Sequence, residues 1–157
     1  MTHEALISRF YEAFTARDHQ GMAACYHDEA RFSDAVFPDL RGPRVKAMWR
    51  MLCERGEDLV VTFTDVEADE HGGSARWEAV YTFRATGRQV TNRIRARFRF
   101  RDGLIVDHRD TFDFWAWSRQ ALGPAGWLLG WSPLLRRRVQ RTAGRQLDRC
   151  CEDWGIP

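Results

Sequence analysis

The sequence predicts an α+β domain, and three patterns predict it. Apolar residues recur at helical spacing up to Leu52, they alternate strictly from about residue 58 to 114, and helical spacing returns after Pro133. The alternating stretches are joined by short glycine turns, so the sheet they form is antiparallel.

The helices come first. Thr2 caps a helix with Leu6, Phe10, Ala13 and Phe14 on one stripe. Asp18 caps a short second helix with Met22, Ala23 and Tyr26 on its inner side. Gly42-Pro43 opens a third, which carries Val45, Met48, Trp49 and Leu52 inward. Four strands follow, at about 58–69, 74–86, 88–101 and 104–114. In the third, Val90, Asn92, Ile94, Ala96, Phe98 and Phe100 share one face, and Arg93, Arg95, Arg97, Arg99 and Arg101 share the other.

Turn chemistry sets the register of the neighbours. Arg101-Asp102-Gly103 suits a three-residue loop, which pairs Phe100 with Leu104, Ala96 with His108 and Ile94 with Asp110. A two-residue loop would turn Ile105, Asp107 and Arg109 inward, against burial energetics. A Thr86-Gly87 loop pairs Tyr81 with Asn92 and Trp77 with Ala96. The apolar face then holds a polar island of Asn92, His108, Asp110 and the Tyr81 hydroxyl, ringed by Trp77, Ile94 and Phe98.

After the sheet comes a glycine-punctuated apolar segment from Trp115 to Trp131. Ser132-Pro133 then opens a last helix with Leu135, Val139, Ala143 and Leu147 inside and Arg137, Arg141, Arg145 and Arg149 on another face. The chain thus divides into a main body, residues 1–114, and a Trp/Arg-rich extension, residues 115–157, packed on the same domain.

Composition bounds the function. The 157 residues are 44% hydrophobic and 29% charged with net charge +2, an ordinary globular balance that excludes a general polyanion-binding field. All basic residues but Lys46 are arginine, and the chain has seven tryptophans. No apolar run reaches the roughly 20 residues that span a bilayer, and the first residues lack a signal-peptide layout. Cys25, Cys53, Cys150 and Cys151 form no C-x-x-C, which predicts neither a disulfide framework nor a metal site. A reducing cytoplasm is the expected compartment. No glycine-rich phosphate loop or dinucleotide fingerprint is present, so no cofactor is expected.

The order and spacing of three stretches carry a resemblance. They are Arg9-Phe10-Tyr11-Glu12-Ala13-Phe14 with Asp18; Tyr26-His27-Asp28-Glu29-Ala30-Arg31-Phe32-Ser33-Asp34; and Phe98 to Asp110. Residues 2–114 resemble the nuclear transport factor 2-like superfamily, which includes ketosteroid isomerase and the SnoaL-like polyketide cyclases. The resemblance implies a cone-shaped curved sheet wrapped around the N-terminal helices, an apolar pocket, and a homodimer through the outer sheet face. It places Asp34 at the position of the isomerase's general base and Asp110 at that of the cyclases' acid/base aspartate. The isomerase's oxyanion hole is not kept, because its tyrosine and acid positions read Phe10 and Ala96.

A carboxylate in an apolar cone loses hydration, so its pKa rises into a range useful for proton transfer. Asp110 is the candidate base, Asp34 the second carboxylate and His108 its partner. Tyr81, Asn92, Trp77, Trp49, Phe10, Phe14, Tyr26 and Ala96 are the candidate ligand contacts. Each has a plainer reading: Asp34 as a turn residue before Pro38, and Asp110 as a buried acid satisfied by His108, Asn92 or a tyrosine. The expected ligand is a small apolar molecule, with isomerase, cyclase or lyase chemistry or, alternatively, non-catalytic binding or dimerisation. Arg93 to Arg101 read as a paired or dimer-forming face rather than a nucleic-acid site, and Trp115 to Trp131 as a cover over the cone, without stable membrane insertion.

Overall fold

Thr2 and Asp18 cap the first two helices as their side chains dictate. Thr2 Oγ1 accepts from the Ala5 amide to start α1 (His3–Thr15), and Asp18 accepts from the Gly21 amide to start α2 (His19–Ala23). The computed structural model describes all residues, Met1–Pro157. Next come β1 (Tyr26–Ser33), the two-residue β2 (Leu40–Arg41) and α3 (Pro43–Arg55), which begins on proline after Gly42 at φ 60°. Four longer strands follow: β3 (Val60–Ala68), β4 (Gly73–Phe83), β5 (Arg88–Arg101) and β6 (Leu104–Thr111).

The strands form one open, curved six-stranded sheet in the order β2-β1-β6-β5-β4-β3. All neighbours are antiparallel except β1 and β6, which run parallel. The sequence leaves β1 and β2 unassigned: β1 pairs with β6, some eighty residues downstream, and the two-residue β2 pairs only with β1. A bulge in β3, with Asp65 at φ 56°, bends the edge of the sheet. The α+β architecture with N-terminal helices on the sheet is the one the sequence predicts.

Both predicted hairpin registers are corrected. The β4–β5 turn has four residues, Arg84 to Gly87, so Tyr81 faces Val90 and Trp77 faces Ile94. The slip is two residues, an even number, so every side chain keeps its face. The β5–β6 turn has two residues, Asp102 at φ 53° and Gly103 at φ 73°, the left-handed pair that matches strand twist. A bulge at Val106 then restores the phase: Phe100 pairs with Ile105, but Arg99 pairs with Asp107. Ile105, His108 and Asp110 all point inward as a result, and Ala96 and Phe98 face Asp110 and His108.

Twenty-nine buried residues form the main core between the sheet, α1 and α3. Phe10, Phe14, Trp49 and Trp77 pack edge to face in it, with Phe10–Trp49 and Phe14–Trp77 centroids both 5.4 Å apart. Outside, Arg93 pairs with Glu78 at 3.1 Å and Arg101 with Glu29 at 2.7 Å.

Three helices complete the chain: α4 (Phe114–Leu122), α5 (Pro124–Leu129) and α6 (Pro133–Trp154). Phe114, Trp117 and Ala121 of α4 bury a second cluster with Ala35 and Val90. Leu147, Cys150 and Cys151 of α6 enter the main core beside α3. A Cβ at Gly126 would collide with the Ser118 carbonyl, and one at Gly130 with Ser118 Oγ, so these glycines permit α5 to lie against α4. The predicted tryptophan cover holds only in part. Trp117 is buried, whereas Trp127 and Trp131 are 57% and 74% exposed and enter neither buried cluster. No helix is long and apolar enough to cross a membrane.

Candidate functional site

Strand β6 delivers His108 and Asp110 to the concave face, and β1, lying parallel beside it, delivers Tyr26 and Phe32. A buried line of hydrogen bonds joins them. Trp49 Nε1 donates to the Tyr26 hydroxyl at 2.9 Å, that hydroxyl lies 2.6 Å from His108 Nδ1, and His108 Nε2 lies 2.9 Å from Asp110 Oδ1. The indole N–H can only donate, so the Tyr26 oxygen accepts it; the Asp110 carboxylate can only accept, and in the tautomer that puts N–H at His108 Nε2 the Tyr26 hydroxyl donates to Nδ1. The histidine proton then sits on Nε2 and faces the carboxylate. His108 is fully buried, with the Phe98 ring centroid at 4.3 Å and Trp49 stacked at 5.9 Å.

Asp34 follows the end of β1. Its Oδ1 accepts from the Val36 and Phe37 amides at 2.7 and 2.6 Å, which is the turn geometry that aspartate favours. Burial nevertheless raises its pKa to about 7, and the charge of Asp110 adds to the rise, while the two amides and Arg136 oppose it. Asp34 and Asp110 line one cavity of about 250 Å³ with Ser33, Ala35, Arg109, Thr111, Phe112 and Arg136. A wider depression of about 400 Å³, lined by Arg88, Ala116, Arg119, Gln120 and Trp127, lies on the α4–α5 surface away from this polar line.

The structure therefore brings Asp110, His108 and Tyr26 into direct contact and sets Asp34 on the same cavity. It separates the remaining predicted contacts from that cavity. Phe10, Phe14, Trp49 and Ala96 lie in the packed interior, and Trp77 is 9% exposed with its indole nitrogen unpartnered. The Tyr81 hydroxyl accepts from Trp117 Nε1 at 2.7 Å, so α4 claims it. Asn92 stays on the inner face, half-buried, opposite Ala79. A cone filled by rings replaces the expected apolar pocket, and the cavity at its mouth has a mixed, largely polar wall.

Two residues escaped the sequence reading. Tyr11 is fully buried with an unpartnered hydroxyl, and burial together with the Asp110 charge raises its pKa well above the ordinary tyrosine value. Arg136 reaches the cavity from α6. Its signal was its phase: it falls outside the four-residue repeat of Arg137, Arg141, Arg145 and Arg149.

Comparison with known proteins agrees with this architecture. No curated protein matches the chain in sequence. Among solved structures, a protein of ketosteroid isomerase-like fold from Catenulispora acidiphila superposes with a TM-score of 0.67 at 14% identity, covering 78% of this chain and 95% of that one. An LEH-like epoxide hydrolase of M. tuberculosis gives 0.61 at 20% identity, covering 83% and 92%. TsrD from Streptomyces laurentii gives 0.61 at 25% identity, covering 74% and 91%. The family model described as SnoaL-like domain matches residues 7–108, a span that runs from α1 to His108. This chain belongs to the SnoaL-like domain family.

Proposed function

We propose that the chain binds a small, largely apolar molecule at the cavity between Asp34 and Asp110 and performs cofactor-free acid–base chemistry there, of the isomerase, cyclase or lyase type. The observation that carries this reading is the buried line from Trp49 to Asp110, which ends on a carboxylate lining the same cavity as a second acid. Asp110 takes a proton from a carbon acid or from water, with His108 Nε2–H holding the carboxylate in place. Asp34, with a pKa of about 7, carries a proton for much of the time at neutral pH and supplies it to the oxygen where charge develops. Its Oδ1 is engaged by two amides, which leaves Oδ2 to carry that proton. Ala35 and Phe112 of the cavity wall supply apolar contact.

One observation favours a second reading, a non-catalytic binding or dimerisation module: the interior behind the cavity is filled by Phe10, Phe14, Trp49 and Trp77. Native mass spectrometry of the purified protein, searching for a co-purified lipophilic ligand, tests the binding claim. With that ligand as substrate, Asp110→Asn abolishes turnover and spares binding; unchanged turnover removes Asp110 from the mechanism. A homodimer through the outward face of β5 belongs to the same proposal, and sedimentation of the wild type against Arg97→Glu tests it.

A further inference from the structure

From Phe114 to Leu147 the chain has six arginines and no acidic residue. In the same stretch Trp127, Leu128, Leu129, Trp131 and Leu134 are between 52% and 75% exposed. They fall close together, from the end of α5 through the turn to the start of α6, and make one exposed apolar knob. It is a built feature, since the close approach of Gly126 and Gly130 to Ser118 fixes α5 on α4. Arg119 stacks over Trp115 and Trp127, at 4.1 and 4.7 Å, and firms its base.

Leu134, the last residue of the knob, also begins a row of arginines. At about 100° per residue, Leu134, Arg137, Arg138, Arg141 and Arg145 fall on one side of α6, opposite the inward Ala143, Leu147 and Cys150. That row runs for roughly 16 Å at about 1.5 Å per residue. Arg137, Arg138, Arg141 and Arg145 enter no ion pair; Asp148, the first acid beyond them, is bound to Arg44 at 2.6 Å.

We propose that this α5–α6 face docks on an anionic lipid bilayer, with the Trp/Leu knob in the headgroup boundary and the arginine row along the headgroups. A second copy of the chain is the poorer occupant. A two-fold contact places the same patch against itself, and here it would set arginine against arginine with no acid in the segment to relieve it. An anionic bilayer supplies both the apolar boundary that tryptophan and leucine enter and the negative charge that the arginines lack. Arg136, two residues past Leu134, falls on the opposite, inward side of α6, where it lines the cavity and takes no part in this row.

Flotation of the full chain with vesicles tests this, using phosphatidylcholine alone and phosphatidylcholine mixed with phosphatidylglycerol. The protein floats with the mixed vesicles and not the neutral ones, releases as salt rises, and shows a lipid-dependent blue shift of tryptophan emission. Leu128→Glu and Trp131→Glu, at exposed positions, abolish flotation with an unchanged circular dichroism spectrum. Arg141→Glu weakens it by about fivefold or more, the worth of one surface charge near such lipid. Absent flotation, as an acidic protein partner would give, overturns the proposal. So does equal flotation with both vesicle types, an Arg141→Glu variant that binds like wild type, or a dimer that Trp131→Glu splits in sedimentation.

Discussion

Replacing Tyr26 with phenylalanine removes one oxygen and leaves two buried groups without a partner. Trp49 Nε1 loses its acceptor at 2.9 Å and His108 Nδ1 loses its neighbour at 2.6 Å. Trp49, Tyr26 and His108 are each no more than 2% exposed, so water does not replace the lost oxygen. Each buried group left unsatisfied costs about 1–2 kcal/mol, so the variant is destabilised by about 2–4 kcal/mol. In a domain of this size about 1 kcal/mol moves Tm by roughly 2–4 °C, which predicts a fall of roughly 4–16 °C in thermal denaturation. Tyr81→Phe is the internal control. It orphans only one group, the Trp117 indole at 2.7 Å from the half-buried Tyr81, and costs about 1 kcal/mol. A Tyr26→Phe variant that melts with wild type, or no lower than Tyr81→Phe, refutes the reasoning and dissolves the hydrogen-bonded line.

Asp34 makes stability depend on pH in an unusual direction for a carboxylic acid. Its folded pKa of about 7 lies above the ordinary 3.8, so its contribution is fully present below pH 3.8 and is lost as pH rises through about 7. At about 1.4 kcal/mol per tenfold change in proton affinity, the ceiling on that loss is ~4 kcal/mol. Asp34→Asn keeps the oxygen that the Val36 and Phe37 amides need, so it stabilises the protein at pH 8 and not at pH 4, as urea titrations at the two pH values will show. Gly126→Ala drives a methyl into the Ser118 carbonyl and lowers stability by about 1–3 kcal/mol in urea titration. Gly144→Ala, in the middle of α6 with nothing within 4 Å of the new Cβ, raises it by about 0.5–1 kcal/mol in the same assay.

The faces of the sheet were readable because alternation has a period of two, and they survived a wrong register. Trp77 and Tyr81 each pair two residues away from the expected partner, yet both stay on the inner side. The β6 hairpin shows the opposite lesson. Sequence reasoning rejected a two-residue turn because it would invert the strand, and the bulge at Val106 is what makes that turn tolerable. A bulge has no compositional signature in a run such as Leu104-Ile105-Val106. Strand β1 was invisible for another reason: its parallel partner is distant in sequence, and parallel pairing leaves no hairpin turn to read.

His108 and Asp110 were legible as a pair from their spacing on one strand face. The third member was not, since 82 residues separate Tyr26 from His108 and only the β1–β6 pairing joins them. The tail misled for a physical reason as well. Tryptophan and leucine in a glycine-rich segment read as buried mass, but the glycines bring α5 against α4 and leave its aromatic side facing solvent.

The polarity of the Trp49–Tyr26–His108–Asp110 line constrains how protons travel. An indole nitrogen does not surrender its hydrogen under ordinary conditions, so the line is a wire with a dead end inside the protein. A proton that reaches Asp110 has no inward exit. It leaves by the way it came, through the cavity, to the molecule bound there or to water at the mouth. A carboxylate wired in this way is suited to lending and recovering a single proton within one turnover rather than exporting it through the fold.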